Sequence, residues 1–171
     1  MGYTTEFEGS FTISPTIKPE HAVYLNRFAE TRRMQRDSSI LQSEEFPDPI
    51  RESIGLPIGI DGEYFVGGGG LVGQERDRSI VDYNKPPRTQ PELWCQWIVT
   101  KTQGGTDVLV WDGGEKFYAY IEWLEYLIEH FFKPWGYTLN GSVEWQGEGV
   151  NDFGEIFVTD NVVHIISGNW F

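Results

Sequence analysis

The sequence predicts an α+β fold: a mainly antiparallel sheet of about six to seven strands, with two main helices packed on one face. Three observations lead there. Strand-like stretches come in runs instead of alternating with helices. Two short turns, Thr102-Gln103-Gly104-Gly105 and Asp160-Asn161, each separate a pair of such stretches, as in hairpins. Two longer stretches, one opening at Pro19 and one closing at Pro134, space their apolar residues as amphipathic helices do.

The first strand is the clearest. Tyr3, Thr5, Phe7, Phe11 and Ile13 take odd positions, and Thr4, Glu6, Glu8, Ser10 and Thr12 take even ones. That period of two gives one buried and one wet face. Gly9 marks a candidate bulge, and Ser14-Pro15 ends the strand. A helix follows, with Pro19 in its first turn, where a missing N–H costs nothing. Ala22, Leu25, Phe28 and Ala29 line one side, and the basic run Arg32, Arg33 and Arg36 suits its C-terminal end.

Residues 35–91 read as a long irregular segment inside a single domain spanning 1–171. Pro47, Pro49 and Pro57 punctuate it, with a helical turn near Asp48 to Ile54, a short strand at Glu63–Val66 and, beyond that, little periodicity apart from Ser79–Tyr83. Loops of such length in compact domains are commonly functional or flexible. Regularity returns with strands over Leu93–Thr100 and Thr106–Trp111. A helix is then predicted from Glu115 to Lys133, capped by Asp112, with Glu115 closing a capping box. Phe117, Tyr120, Ile121, Leu124, Leu127, Ile128 and Phe131 form its core stripe. Glu115, Glu122, Glu125 and Glu129 share the opposite side. Strands over Ser142–Gln146, Glu155–Thr159 and Val162–Ser167 finish the chain.

The chain has 171 residues, 26 acidic and 13 basic, for a formal charge of −13. Residues 1–90 hold 10 basic and 14 acidic side chains, net −4, and residues 91–171 hold 3 and 12, net −9. An extended nucleic-acid surface needs the reverse balance. The aromatic share of 15% is too rich for an acidic disordered tail. No apolar run approaches the roughly 20 residues of a membrane span. A lone cysteine, Cys95, and a start without a basic or apolar leader lead us to expect a cytoplasmic protein.

Several stretches resemble a group of small bacterial and mobile-element proteins. These are Asp61-Gly62-Glu63-Tyr64-Phe65-Val66-Gly67-Gly68, Leu93-Trp94-Cys95-Gln96-Trp97, Trp111-Asp112-Gly113-Gly114-Glu115-Lys116-Phe117-Tyr118 and Pro134-Trp135-Gly136-Tyr137-Thr138-Leu139-Asn140-Gly141. The resemblance implies a soluble bacterial protein and brings no activity or catalytic residue with it.

Gly68-Gly69-Gly70-Leu71-Val72-Gly73 fits the three spaced glycines of a dinucleotide loop, but no parallel strand follows it. A loop that admits another backbone or a small anion suits it better, with Arg76 or Arg78 nearby. The acidic turns at Asp61, Asp112 and Asn151 lack the spacing of a calcium loop. Three scattered histidines and one cysteine do not suit a zinc site, so neither metal nor cofactor is expected. Alternation along a strand gives Cys95 and Trp97 one face, the core, and Trp94 the other.

The leading expectation is a non-enzymatic binding protein in which residues 35–91 and a Trp-containing sheet face hold a small anion or a protein partner. Arg32, Arg33, Gly68, Gly70, Gln74, Arg76, Tyr83 and Trp94 are the candidate contacts. One alternative is a small hydrolase or transferase using carboxylates such as Asp82, Asp112 or Glu144, with His130 as acid–base. The other is an acidic inhibitor, carried by a mobile element, that blocks a basic host protein through its charge.

Overall fold

A computed structural model describes residues 2–68 and 76–168. It is α+β, and the chain divides into two compact units. One joins Met1–Ile17 to Gln96–Phe171, and the other is Lys18–Cys95.

The first unit is built on a six-stranded antiparallel sheet of order β4-β5-β1-β6-β7-β8. Its strands are β1 (Glu6–Ser14), β4 (Trp97–Lys101), β5 (Asp107–Trp111), β6 (Thr138–Gln146), β7 (Phe153–Thr159) and β8 (Val162–Ser167). Phe7, Phe11 and Ile13 of β1 are buried as their alternation requires, with Phe11 fully enclosed. They share the inner face with Leu139, Val143 and Trp145 of β6 and with Ile156 and Val158 of β7. The β7–β8 hairpin turns at Asp160 and Asn161, both at positive φ (48° and 70°). That is the turn type whose twist matches the strands it joins. Asn161 also ties the turn down: its Oδ1 accepts from the Leu139 N–H at 2.7 Å, and its Nδ2 donates to the Tyr137 carbonyl at 3.0 Å.

The helix of this unit starts later than predicted. α4 spans Tyr120–Leu127 and continues as a π-helical turn over Ile128–Phe132. Gly113, Lys116 and Ala119 have positive φ, which a helix cannot contain. Asp112 is therefore no helix cap. Its carboxylate accepts from the Gly114 N–H at 2.7 Å and makes a local turn instead. Trp123, Tyr126 and Phe132, outside the predicted stripe, are buried too. The π turn rotates the last residues relative to an α-helical register, so Phe131 and Phe132 are both enclosed. Glu122, Glu125 and Glu129 stay exposed, as the periodicity requires. Phe7 joins the sheet to this region through edge-on contacts with Phe117 and Tyr120, at 5.8 and 4.9 Å between ring centres.

The second unit holds α1 (Pro19–Glu30), β2 (Gln35–Arg36), α2 (Ser38–Leu41), α3 (Pro49–Ser53), a 3-10 turn (Ile60–Gly62) and β3 (Ile80–Asp82), with β2 and β3 paired antiparallel. Tyr24, Leu25, Phe28 and Ala29 are the buried side of α1. That helix stops at Glu30, short of the arginines assigned to it, because Thr31 takes up extended backbone. Residues 63–66 are not a strand. Their backbone is satisfied by buried side chains: Arg33 donates to the Glu63 and Phe65 carbonyls at 2.7 and 2.8 Å, and Tyr24 to the Tyr64 carbonyl at 2.8 Å. The Asp48 carboxylate accepts from the N–H groups of Val66 and Gly67.

Candidate functional site

The outer face of the sheet carries the most distinctive surface of the first unit. Residues on this face point away from the core by the same alternation that buries Phe7 and Trp145. Glu8 of β1 is directly opposite Glu144 of β6, and Glu144 is directly opposite Glu155 of β7. Ile166 of β8 completes the row. One row along, Glu6 faces Gln146, which faces Phe153. Together these residues border a cleft of about 640 Å³, whose lining also includes Phe7, Trp111 and Trp145. Trp145 covers Gly154 on the neighbouring strand so closely that any Cβ there would overlap its ring. A glycine at 154 is thus what lets the indole lie over the adjacent strand.

Directly opposed side chains on antiparallel strands have Cβ atoms about 4.5–5.5 Å apart, and like charges there are unfavourable. Three carboxylates in one row therefore oppose folding mildly and attract cations. Nothing in the lining offsets them, since no Lys or Arg is among the residues bordering the cleft. The whole unit is poor in positive charge. Residues 1–17 and 96–171 contain 13 acidic side chains against three lysines and no arginine, net −10. Residues 18–95 hold 13 acids and 10 bases, net −3, which completes the −13 of the chain. Of the three lysines, Lys101 is bound to the buried Asp107 at 2.5 Å, and Lys133 lies 3.6 Å from Glu129.

The candidate binding contacts read from the sequence, where described, lie in the second unit. Arg33 is buried, stacked over Phe28, with its guanidinium on two backbone carbonyls, so it serves the interior. Arg32 and Arg76 are brought together: their guanidiniums lie 4.2 and 4.5 Å from the centre of the Tyr83 ring. Arg32 also donates to the Tyr83 carbonyl and to Asn84. Gly68 is exposed beside Pro47. Gly70 and Gln74 lie outside the described residues. Trp94 is half-buried and precedes β4, which begins only at Trp97, so strand alternation does not govern it. Cys95 is fully buried.

The carboxylates proposed for acid–base chemistry are dispersed. Glu144 stands on the outer sheet face, whereas His130 lies in the π turn, stacked on Tyr126 at 3.9 Å. Burial pushes the Asp112 carboxyl up, although that carboxyl is committed to its own turn. Asp82 belongs to β3 of the other unit. The Asp61 turn is closed by Arg88, which donates its N–H and Nε at 3.0 Å. Burial raises the Asp61 carboxyl, and these bonds more than reverse it, leaving it below the ordinary range. Among the described residues, no group of three or more His, Cys, Asp or Glu is placed to hold a metal ion. No helix among them is long and apolar enough to cross a membrane.

Compared with protein-family models, curated proteins and solved structures, the chain matches none. The outer row was missed as a unit by sequence reasoning. Alternation placed Glu8 on a wet face, but only the pairing register sets Glu8, Glu144 and Glu155 side by side.

Proposed function

We propose that this chain is an interaction protein that takes a basic protein partner on the acidic outer face of its sheet. The observation that carries this reading is the uninterrupted row Glu8–Glu144–Glu155 across three adjacent strands, beside a cleft lined by aromatic residues. Lysine or arginine from a partner relieves the repulsion within the row. Phe153 and Ile166, both exposed on that face, supply apolar surface against which the stems of such side chains pack. The surrounding net charge of −10 speeds encounter with a basic partner and discourages acidic ones.

The test is a binding titration with a labelled Arg-containing peptide at rising salt. Affinity should fall steeply with salt, and a variant carrying Glu8→Gln, Glu144→Gln and Glu155→Gln should lose most of it. Salt-insensitive binding, or unchanged binding by the triple variant, would contradict the reading.

A second reading concerns the other unit. Arg32 and Arg76 both stack on the Tyr83 ring, and two guanidiniums anchored on one side chain suit a small anion. Titration with inorganic phosphate, comparing wild type with Arg76→Gln, tests it. Equal responses would remove it.

A further inference from the structure

The sheet ends, at one side, on an unusual strand. β8 reads Val162-Val163-His164-Ile165-Ile166-Ser167, with no Lys, Glu, Asp or Pro among its six residues. It pairs with β7 alone and is an edge of the described sheet. Val162, Ile165 and Ile166 are exposed, Ile165 at 53%. Natural edge strands are ordinarily shielded by charge, proline, shortness or a covering element. The opposite edge follows that custom: β4 has five residues and ends on Lys101. In a hairpin closed by a two-residue turn, the pair next to the turn, Thr159 and Val162, is hydrogen-bonded, and bonding alternates from there. The Gly168 N–H, bonded to the Phe153 carbonyl at 2.6 Å, keeps that phase at the far end. The backbone N–H and C=O groups of Val163, Ile165 and Ser167 therefore point away from β7, outward along the edge.

The edge is continuous with the acidic face. Ile166 is directly opposite Glu155 and, with Gly168, borders the same cleft. The geometry points to β8 as the place where a basic, extended protein segment adds as a further strand. This inference rests on the acidic-face reading and specifies how the partner binds. Its main chain bonds to Val163, Ile165 and Ser167. Its alternate side chains then divide between the two faces. Those beside His164 and Ile166 project toward the outer face. Strands lie about 4.8 Å apart, so an arginine there reaches over Ile166 to Glu155. Those on the other face cover Val163 and Ile165 and are apolar. The matching segment alternates basic and apolar residues over about the length of β8. A second copy of this chain fits less well, because pairing β8 with itself sets two units of charge −10 side by side.

The test uses the full chain and a labelled peptide of alternating Arg and Val. Two further versions are N-methylated on every second residue, one in each phase. Only one phase of methylation blocks the amides that face β8, so one version should bind at least tenfold more weakly and the other nearly as well as the parent. Ile165→Pro, which removes an outward N–H and leaves the bonds to β7 in place, should weaken the parent peptide similarly. Equal binding of the two methylated peptides would overturn the added strand while leaving the acidic-face reading intact. Failure of all three peptides to bind would overturn both. A dimer of the free chain that Ile165→Pro dissociates would also overturn the inference, since the edge would then belong to a second copy.

Discussion

Glu144 and Glu155 stand directly opposite one another on neighbouring antiparallel strands, with their side chains on the same outer face. Glu8 extends the pair on the other side of Glu144. A sheet selected only for stability gains nothing from this arrangement, because each like-charged pair is unfavourable. The cost and the proposed use come from the same charges, so stability and binding should respond to them with opposite signs.

Neutralising the central member tests the cost. Glu144→Gln should raise the stability of the protein by roughly 0.2–1 kcal/mol for the relieved pairs, read from urea denaturation midpoints at low salt. The gain should shrink as salt rises. A loss of stability would mean that the row is already compensated within the chain.

Asp107 should make the fold sensitive to acid. The Lys101 ammonium bonded to it holds its carboxyl below the ordinary value of 3.8, helped by the Ile17 N–H at 2.9 Å. A carboxylate depressed in the folded state stabilises fully above the unfolded value, and that contribution disappears as pH falls through the folded one. Asp107→Asn should therefore destabilise at neutral pH, by about 1–3 kcal/mol for a bond to a charged group. The gap between variant and wild type should narrow once the pH drops below 3.8. A constant gap across that range would contradict the assignment.

Arg33 and Arg76 should behave oppositely on truncation. Arg33 is buried on the Glu63 and Phe65 carbonyls, so Arg33→Ala leaves two acceptors without that donor and a cavity beside Phe28. A loss of about 3 kcal/mol or more is expected. Arg76 is exposed, and Arg76→Ala should stay within about 0.5 kcal/mol of wild type. Thermal or chemical denaturation separates the two cases.

The β7–β8 turn should depend on Asn161. It adopts positive φ, and its side chain bonds to backbone groups at Leu139 and Tyr137. Asn161→Ala should cost roughly 2–4 kcal/mol, the sum of left-handed strain and two lost hydrogen bonds. A change below about 0.5 kcal/mol would show that the hairpin is held by its strands alone.

Strong periodicity was legible in the sequence, and satisfaction of isolated backbone groups was not. The alternation of β1, the Asp160-Asn161 hairpin and the strand Val162–Ser167 follow from patterns of two residues and from turn chemistry. The start of α4 does not, because nothing in its composition announces positive φ at Lys116 and Ala119. Residues 63–66 look like a strand since Tyr, Phe and Val favour one, yet Arg33, Tyr24 and Asp48 satisfy that backbone from distant positions. The same distance effect misread Arg33 as a surface cation. For the site, alternation made Glu8 legible as an outward acid, but not its neighbours as a row. Their adjacency depends on the order β1-β6-β7, which brings together residues more than 130 positions apart.

The most direct measurement is the salt dependence of binding of the alternating Arg–Val peptide to wild type and to the Glu8→Gln, Glu144→Gln, Glu155→Gln variant, with the fold of each verified by its denaturation midpoint. The variant should be at least as stable as wild type, bind the peptide far more weakly and have lost most of the salt response. A variant equally stable and equally able to bind would contradict the acidic-face reading.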